Sequence, residues 1–284
     1  MATGMVMVGV HVIGALAGVA LGIGAVYLVR MIIEGVRRDR RIPPEEVVPG
    51  LQRDDWERLE AMMDSEDAAE RLESFAVLER YGREDADARE DVVAMTCAYL
   101  RKPFPHPSED DEELEIRRAA QGLLTRHFRW PAGEARPFEF WEIEELNLKD
   151  AVLVEPDFAD TVLEDVNLQD SLIVRGDFRR TRFLSYVNFD RACFTGDTDF
   201  RGASFPAHAT FAAAMFSGTT TFADAEFDQD ADFTGARVEH PDAAHSWPSG
   251  WRAWATSPVA QARLIPVTSD ARPPDPGQNQ EVTG

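Results

Sequence analysis

The sequence predicts a mainly β fold, a column of short stacked strands, preceded by a small α-helical region and one N-terminal transmembrane helix. Three observations predict it. Large apolar residues repeat with a five-residue step from Leu148 to Val238, helical patterns occupy the stretch before the repeat, and residues 2–29 carry no charged side chain. The repeat specifies an architecture and does not by itself indicate a chemistry.

The repeat keeps a step of five from Leu148 to Phe183, after which steps of six and five alternate. A period of five fits neither an α-helix nor a plain strand, but it fits a short extended segment followed by a corner. Residues two apart on an extended segment face the same way, so the large residue and the small one two positions before it should both point inward. The predicted column core is Leu148, Leu153, Phe158, Leu163, Leu168, Ile173, Phe178, Phe183, Phe189, Phe194, Phe200, Phe205, Phe211, Phe216, Phe222, Phe227 and Phe233.

The residue between the two inward positions should point outward, and it is often Asn or Asp, as at Asn147, Asp177 and Asp199. Units such as VNLQD, GDFRR, VNFDR and ADFTG resemble the A(D/N)LXX unit of the pentapeptide-repeat family. The resemblance runs from Leu146 to Val238 over eighteen consecutive units (8 + 10). It implies a right-handed quadrilateral β-solenoid with four units in each turn.

The six-residue steps place extra residues in the segments TGDTDF, PAHATF, SGTTTF and DQDADF, at every second corner. Because the insertion recurs at every second unit, it should stack on itself and widen two opposite corners. Gly196 and Gly218 would supply the positive φ that such corners often need. Two interpretations remain open, a pair of ridges that contacts a partner and a variant turn without one.

The N-terminal stretch of 28 uncharged residues is long enough to cross a bilayer, which takes about 20. Five arginines follow it: Arg30, Arg37, Arg38, Arg40 and Arg41. The positive-inside rule therefore predicts a single-pass anchor in the cell membrane, with the C-terminal bulk in the cytoplasm. Gly14, Gly18 and Gly22 lie four apart and can bring two spanning helices together as a homodimer, although membrane spans are rich in glycine in any case.

The predicted organisation is an anchor at 1–33, a proline-containing linker at 34–50, an α-helical region at 51–137, the solenoid at 138–238 and a C-terminal cap with a disordered tail at 239–284. In the helical region, Ser65 is the predicted cap of one helix, a second helix runs from about Ala86 to Arg101, and a third follows Ser108. The stretches SFAVLERYGRED, CAYLR and RRAAQGLLTRHF resemble the N-terminal helical segment of membrane-anchored actinobacterial pentapeptide-repeat proteins.

Both ends of such a column expose strand edges that invite aggregation unless they are covered. We expect the helical region to cover the first turn together with Phe138, Phe140 and Trp141. Three tryptophans after the repeat are expected to cover the last turn, and an exposed aromatic docking patch is the alternative: Trp247, Trp251 and Trp254.

Composition and motifs exclude several classes of function. The net charge of −22 argues against direct binding of nucleic acid, because phosphate contacts need a basic surface. The two cysteines, Cys97 and Cys193, and the six scattered histidines match no metal or redox spacing. The sequence contains no Gly-rich phosphate loop that opens a helix, no GxSxG and no CxxC. It therefore predicts no cofactor, no metal site and no enzyme.

Two functions of different classes remain. The leading one is a membrane-tethered, non-catalytic protein-interaction scaffold with an unidentified protein partner. The family resemblance implies the other, since some pentapeptide-repeat proteins bind DNA gyrase with an acidic column that mimics DNA. From Phe138 to Val238 the net charge is −12 (8 − 20), which suits a mimic, whereas five arginines interrupt the acidic surface: Arg175, Arg179, Arg180, Arg182 and Arg191.

Overall fold

The computed structural model describes residues 53–255 and 261–267 as four helices followed by a column of short strands. The predicted anchor, with Gly14, Gly18 and Gly22, lies outside these residues, and so do the linker and the last part of the predicted tail. Within 53–255 and 261–267, no helix is both long enough and apolar enough to cross a bilayer.

The helices are α1 (Arg53–Met63), α2 (Ala68–Glu84), α3 (Arg89–Leu100) and α4 (Asp111–Phe128). The cap of α2 is Asp67, whose Oδ1 accepts the N–H of Ala69 at 2.9 Å. The prediction of Ser65 as the cap was wrong by two positions, because the Ser65 hydroxyl instead accepts the N–H of Asp67 at 3.1 Å. Asp110 caps α4 by accepting the N–H of Glu113 at 2.9 Å.

The strands of the column form four faces, which the chain visits in turn. Face 1 contains β1 (Glu145–Asn147), β4 (Asp165–Asn167), β7 (Val187–Asn188) and β11 (Ala209–Thr210). Face 2 contains β2 (Val152–Val154), β5 (Leu172–Val174), β8 (Cys193–Thr195), β12 (Met215–Phe216) and β15 (Arg237–Val238). Face 3 contains β9 (Thr198–Asp199) and β13 (Thr220–Thr221), with single bridges in the earlier turns. Face 4 contains β3 (Val162–Leu163), β6 (Arg182–Phe183), β10 (Ser204–Phe205) and β14 (Glu226–Phe227).

Neighbouring strands within these faces are parallel, so the chain forms a β-solenoid of about four turns. The register is 20 residues at Glu145↔Asp165 and 22 residues at Val187↔Ala209, which follows the change from steps of five to alternating steps. Two antiparallel strands, β16 (Trp251–Trp254) and β17 (Ala262–Pro266), extend face 2 beyond β15.

Sixteen of the seventeen large residues of the predicted core are buried, and Phe227 is half-buried. Phe227 is less covered because β14 is the last strand of its sheet among the described residues. The phenylalanines stack in ladders from turn to turn. In one ladder Phe178 lies 4.8 Å from Phe200 and Phe200 lies 4.6 Å from Phe222, with the rings nearly parallel. These spacings are those of neighbouring strands, so the backbone register determines the aromatic packing.

The outward Asn and Asp residues have a local role. The side-chain oxygens of Asn167, Asp177 and Asp199 each accept the backbone N–H two residues later, at 3.1, 3.0 and 2.9 Å. This is the hydrogen bond of an Asx turn, which starts the corner after each strand. Two residues after many of the inward large residues, the backbone takes a positive φ, for example +58° at Asp160.

The helical layer covers the first turn through a continuous core. Trp141 and His127 are buried, and their rings stack with centroids 3.8 Å apart. Gln121 of α4 replaces a missing strand, because its side-chain amide exchanges two hydrogen bonds of 3.0 Å with the backbone of Val154. The N–H of Trp130 likewise donates to the carbonyl oxygen of Asp160 at 2.8 Å. These contacts satisfy edge groups that would otherwise be unpaired.

Phe138 does not belong to this cap. Its side chain is fully exposed, at 101%, whereas Phe140 and Trp141 are buried. The prediction for Phe138 was wrong because the chain turns here, with the N–H of Phe140 donating to the carbonyl oxygen of Pro137 at 3.1 Å. The first strand of the column accordingly begins at Glu145.

Aromatic side chains lie over the last turn. Trp247 packs against Phe216 with centroids 5.2 Å apart, and Trp251 packs against Phe233 at 5.4 Å. Both tryptophans are half-buried against the column core. These contacts favour a cap over an exposed docking patch for Trp247 and Trp251, and Trp254 is half-buried on β16.

The contact between Gly82 and Trp141 gives a first prediction. A Cβ atom at Gly82 would lie 2.3 Å from Cη2 of Trp141, whose ring is locked between the helices and the column. We expect Gly82→Ala to lower the free energy of unfolding by about 1–2 kcal/mol, because overpacking outweighs the gain in helix propensity. Urea unfolding followed by circular dichroism measures this change.

Gly122 in α4 provides the matched control, since nothing lies within 4 Å of a Cβ atom there. Gly122→Ala should raise the free energy of unfolding by up to about 1 kcal/mol through helix propensity alone. Equal effects of the two substitutions would contradict the tight contact between Gly82 and Trp141.

Candidate interaction surface

The core residues of the repeat are enclosed, so any functional chemistry of the column must lie on its faces and corners. Among the described residues, no group of three or more His, Cys, Asp or Glu side chains could hold a metal ion. Cys97 is buried in the helical layer, where desolvation raises the pKa of its thiol to about 12. Cys193 is half-buried on face 2, and burial raises the pKa of its thiol as well.

Three of the four corners carry ion pairs between successive turns. At the corner of faces 3 and 4, Arg180 binds both carboxylate oxygens of Asp160, each at 2.7 Å. At the corner of faces 1 and 2, Arg191 binds Asp170 in the same way at 2.6 and 2.7 Å. The hydrogen bonds from these arginines hold the pKa of both carboxyl groups below the usual range.

The corner of faces 2 and 3 has the same arrangement in its first two turns. Arg175 donates to Oε1 of Glu155 from both Nε and Nη2, at 3.1 and 2.5 Å. Hydrogen bonds from Arg175 and then Arg118 lower the pKa of Glu155. We call these three sites the ion-pair corners. Their acidic and basic side chains neutralise each other, so they contribute little net charge to the surface.

The inserted residues of the six-residue steps fall at two opposite corners. One is the corner between faces 2 and 3, in the turns after the Glu155–Arg175 ion pair. Gly196 lies there and has a φ of +69°. Gly218 does not have a positive φ, so the reason given for it from sequence was wrong. Glycine is required at this position because there is no room for a side chain. A Cβ atom there would lie 2.2 Å from the carbonyl carbon and oxygen of Gly196. Asp197 Oδ1 also accepts the N–H of Thr219 at 3.0 Å, which ties the two inserts together.

The other insertion corner lies between faces 4 and 1 and has a different surface. The pairing of Glu145 with Asp165 and of Val166 with Val187 places Asp165 beside Tyr186 in the next turn. The ring of Tyr186 then lies 6.1 Å from that of His208, at an angle of 15°. Tyr186 and Leu184 are about two-fifths exposed. We call the exposed side chains of Leu184, Tyr186 and His208 the Tyr186 ridge.

The first of these inserts was missed by the sequence analysis. The step from Phe183 to Phe189 already contains six residues, so its segment LSYVNF belongs with the four inserts that were recognised. Its signal was present, namely the step of six itself. The stacking of Tyr186 on His208 was not visible, because it depends on the register between turns.

An open groove of about 400 Å³ adjoins the Tyr186 ridge on face 1. Its lining residues are Glu144, Glu145, Asp165, Val166, Asn167, Tyr186 and Asn188. The three carboxylates are exposed, and none of them forms an ion pair within the described residues. Burial and then the nearby Asp190 carboxylate raise the pKa of Tyr186.

A second cavity of about 370 Å³ lies in the helical layer, and sequence reasoning missed its polar network. Glu113 accepts hydrogen bonds from Tyr99 Oη at 2.8 Å and from Arg117 Nε at 3.0 Å. Buried Arg117 also donates to the carbonyl oxygens of Leu100 and Lys102 at 3.0 and 2.7 Å, which caps the end of α3. Glu113 lies in the acidic first turn of α4. The charges of this network are used to join the helices.

His127 and Glu79 form another buried polar contact. Nδ1 of His127 donates to the carbonyl oxygen of Glu139 at 2.7 Å, and Nε2 lies 2.9 Å from Oε1 of Glu79. Burial alone would raise the pKa of Glu79, but hydrogen bonds from Arg126 and His127 outweigh it and lower that pKa. Both ring nitrogens are engaged and the ring is covered by Trp141, so the contact holds the layer together.

Residues 158–204 match a family model described as pentapeptide repeats (9 copies). The matched segment is less than half of the chain, and the column continues with the same geometry to Val238. No curated protein and no solved structure shows a significant match to this chain.

Proposed function

Residues 158–204 of this chain are pentapeptide repeats, and from that premise we propose that the protein is a membrane-tethered, non-catalytic protein-interaction scaffold. One observation carries the proposal. The Tyr186 ridge exposes an aliphatic and two aromatic side chains at a corner of a rigid column whose interior is filled. Exposed apolar side chains beside polar groups are typical of protein–protein contact sites.

The location of the helical layer supports this choice of surface. Phe104 and Leu114 pack against Val154 and Val174, so the helical layer already occupies the first two turns of face 2. The Tyr186 ridge lies between faces 4 and 1 and is left open by these contacts.

Membrane tethering is the second part of the proposal, and the sequence supports it. The 28 uncharged residues before Arg30 suit a single bilayer span, and the arginines after it suit a cytoplasmic exit. The anchor would hold the column near the inner membrane surface, where a partner meets it. Deletion of residues 1–33 should move the protein from the membrane fraction to the soluble fraction, and unchanged fractionation would contradict the tether.

The DNA-mimic alternative is less well supported. A mimic of duplex DNA needs a surface of uncompensated negative charge. The ion-pair corners instead neutralise Glu155, Asp160 and Asp170 with arginines of the next turn. Purified protein is therefore expected to leave the supercoiling activity of DNA gyrase unchanged, and inhibition at micromolar concentration would favour the alternative.

The scaffold proposal is tested with the full-length protein, because the helical layer and the column share one core and neither can be removed safely. Tagged wild type and the double variant Leu184→Ala/Tyr186→Ala are crosslinked in native membranes, and the recovered proteins are quantified. We expect the double variant to lose specific partners that the wild type retains.

Phe138→Ala is the matched control, since it removes another exposed aromatic side chain that neither belongs to the ridge nor lines its groove. The control should retain the partners. If the double variant and the control both recover the wild-type set, the ridge is not the contact surface.

A further inference from the structure

We infer that the Tyr186 ridge and its groove bind an arginine side chain presented by a basic segment of a partner protein. This inference rests on the proposed function, because it names the chemistry of the partner that the scaffold binds. It identifies a surface and a ligand class, a guanidinium group between carboxylates and an aromatic ring.

The ion-pair corners show what this column places beside a corner carboxylate. At each of them, an arginine from the next turn donates two hydrogen bonds to the acid of the turn before, as Arg180 does to Asp160 and Arg191 does to Asp170. At the corner of faces 4 and 1, the residue in the turn after Asp165 is Tyr186. Residues 53–255 and 261–267 therefore place no guanidinium on Asp165, and its carboxylate remains open to one from a partner.

Two further carboxylates face the same groove. Glu144 and Glu145 line it together with Asp165, and all three are exposed without an ion pair among residues 53–255 and 261–267. A metal ion is not the fitting cation, since none of the described carboxylates belongs to a cluster able to hold one. A guanidinium suits the groove better, because its planar fork binds a carboxylate through two parallel hydrogen bonds.

Tyr186 adds the aromatic component. A guanidinium within about 6 Å of a ring centroid is attracted to its face, and arginine does this more often than lysine. The protein uses the same contact internally, where the Arg182 guanidinium lies 5.3 Å from the ring centroid of Trp130. Stacking on Tyr186 would leave the fork of an incoming arginine free to reach Asp165 in the adjacent turn.

Fluorescence anisotropy with a short labelled glycine–arginine peptide tests the inference on the full-length protein in detergent, at about 0.15 M salt. We expect saturable binding that Tyr186→Ala and the double variant Glu145→Gln/Asp165→Asn each weaken by about tenfold or more. Tyr186→Phe keeps the ring and should keep the affinity. A peptide with citrulline, the neutral isostere of arginine, should not bind, and a lysine peptide should bind more weakly.

The control for non-specific attraction is Asp224→Asn/Glu226→Gln, which removes the same two charges from exposed positions elsewhere on the column. This control should bind the arginine peptide as the wild type does. Equal weakening by both double variants, or unchanged binding by Tyr186→Ala, would overturn the inference.

The two proposals fail in different ways. If the peptide does not bind but Leu184→Ala/Tyr186→Ala still loses its crosslinked partners, the ridge is a contact surface and the arginine chemistry is wrong. If the peptide binds as expected but the partners are unaffected, the arginine site stands and the scaffold function of the ridge is contradicted.

Discussion

Replacing Phe200 with alanine is expected to lower the free energy of unfolding by about 3–5 kcal/mol. Phe200 has no exposed surface and lies in the middle of its ladder, 4.8 Å from Phe178 and 4.6 Å from Phe222. It also meets Phe189 and Phe211 edge to face, at 5.8 and 5.9 Å. The column is held by strand hydrogen bonds on every side, so it cannot collapse into the cavity that alanine leaves.

Urea unfolding of the purified protein, followed by far-ultraviolet circular dichroism, measures this loss as a lower midpoint. Phe138→Ala makes the same chemical change at a fully exposed site and should shift the free energy by no more than about 0.5 kcal/mol. Each turn of a solenoid is stabilised mainly by its contacts with the neighbouring turns. The unfolding transition of Phe200→Ala can therefore also broaden. A loss below that of Phe138→Ala would mean that the ladder does not hold the column together.

The column could be predicted because its rule is local. Each unit buries one large residue such as Phe200 and one small residue such as Ala203, and an Asx turn starts the next corner. The residues of each unit therefore determine its own conformation, and eighteen consecutive units make the pattern easy to detect. Phe138 lies two five-residue steps before Leu148 and so fits the repeat in sequence. Its side chain is nevertheless fully exposed, so this fit has no structural meaning.

The helical layer could be predicted as a set of helices that covers the first turn, but the contacts that attach it to the column could not. Its attachment depends on groups far apart in sequence, such as Gln121 with the backbone of Val154 and the glycine contact of Gly82 with Trp141. A single glutamine or glycine in a helix carries no pattern that indicates such a partner. The candidate site was hidden for the same reason, since Asp165 and Tyr186 meet only through the 21-residue register between Val166 and Val187.

Gly218→Ala is expected to lower the free energy of unfolding by about 3 kcal/mol, the upper end for an overpacked site. The new Cβ atom would lie 2.2 Å from the backbone carbon and oxygen of Gly196. Backbone atoms cannot rotate away as a flexible side chain can. The residues before and after Gly196 are also held, since Thr195 accepts the N–H of Arg175 and Asp197 accepts the N–H of Thr219. The stacked inserts must therefore separate, which also strains the hydrogen bond from the N–H of Thr219 to Asp197.

Gly235→Ala separates this clash from backbone strain. Gly235 has a φ of +77°, but the nearest atoms to its Cβ position are 3.8 Å away, in Ala213. Ala213 itself adopts a φ of +57° at the same corner one turn earlier. Gly235→Ala should therefore cost only about 1–2 kcal/mol, the strain of a left-handed alanine. Thermal melts compare the two variants. If Gly218→Ala lowers the melting temperature no more than Gly235→Ala does, Gly218 does not pack closely on Gly196, and this corner has room that a partner could use.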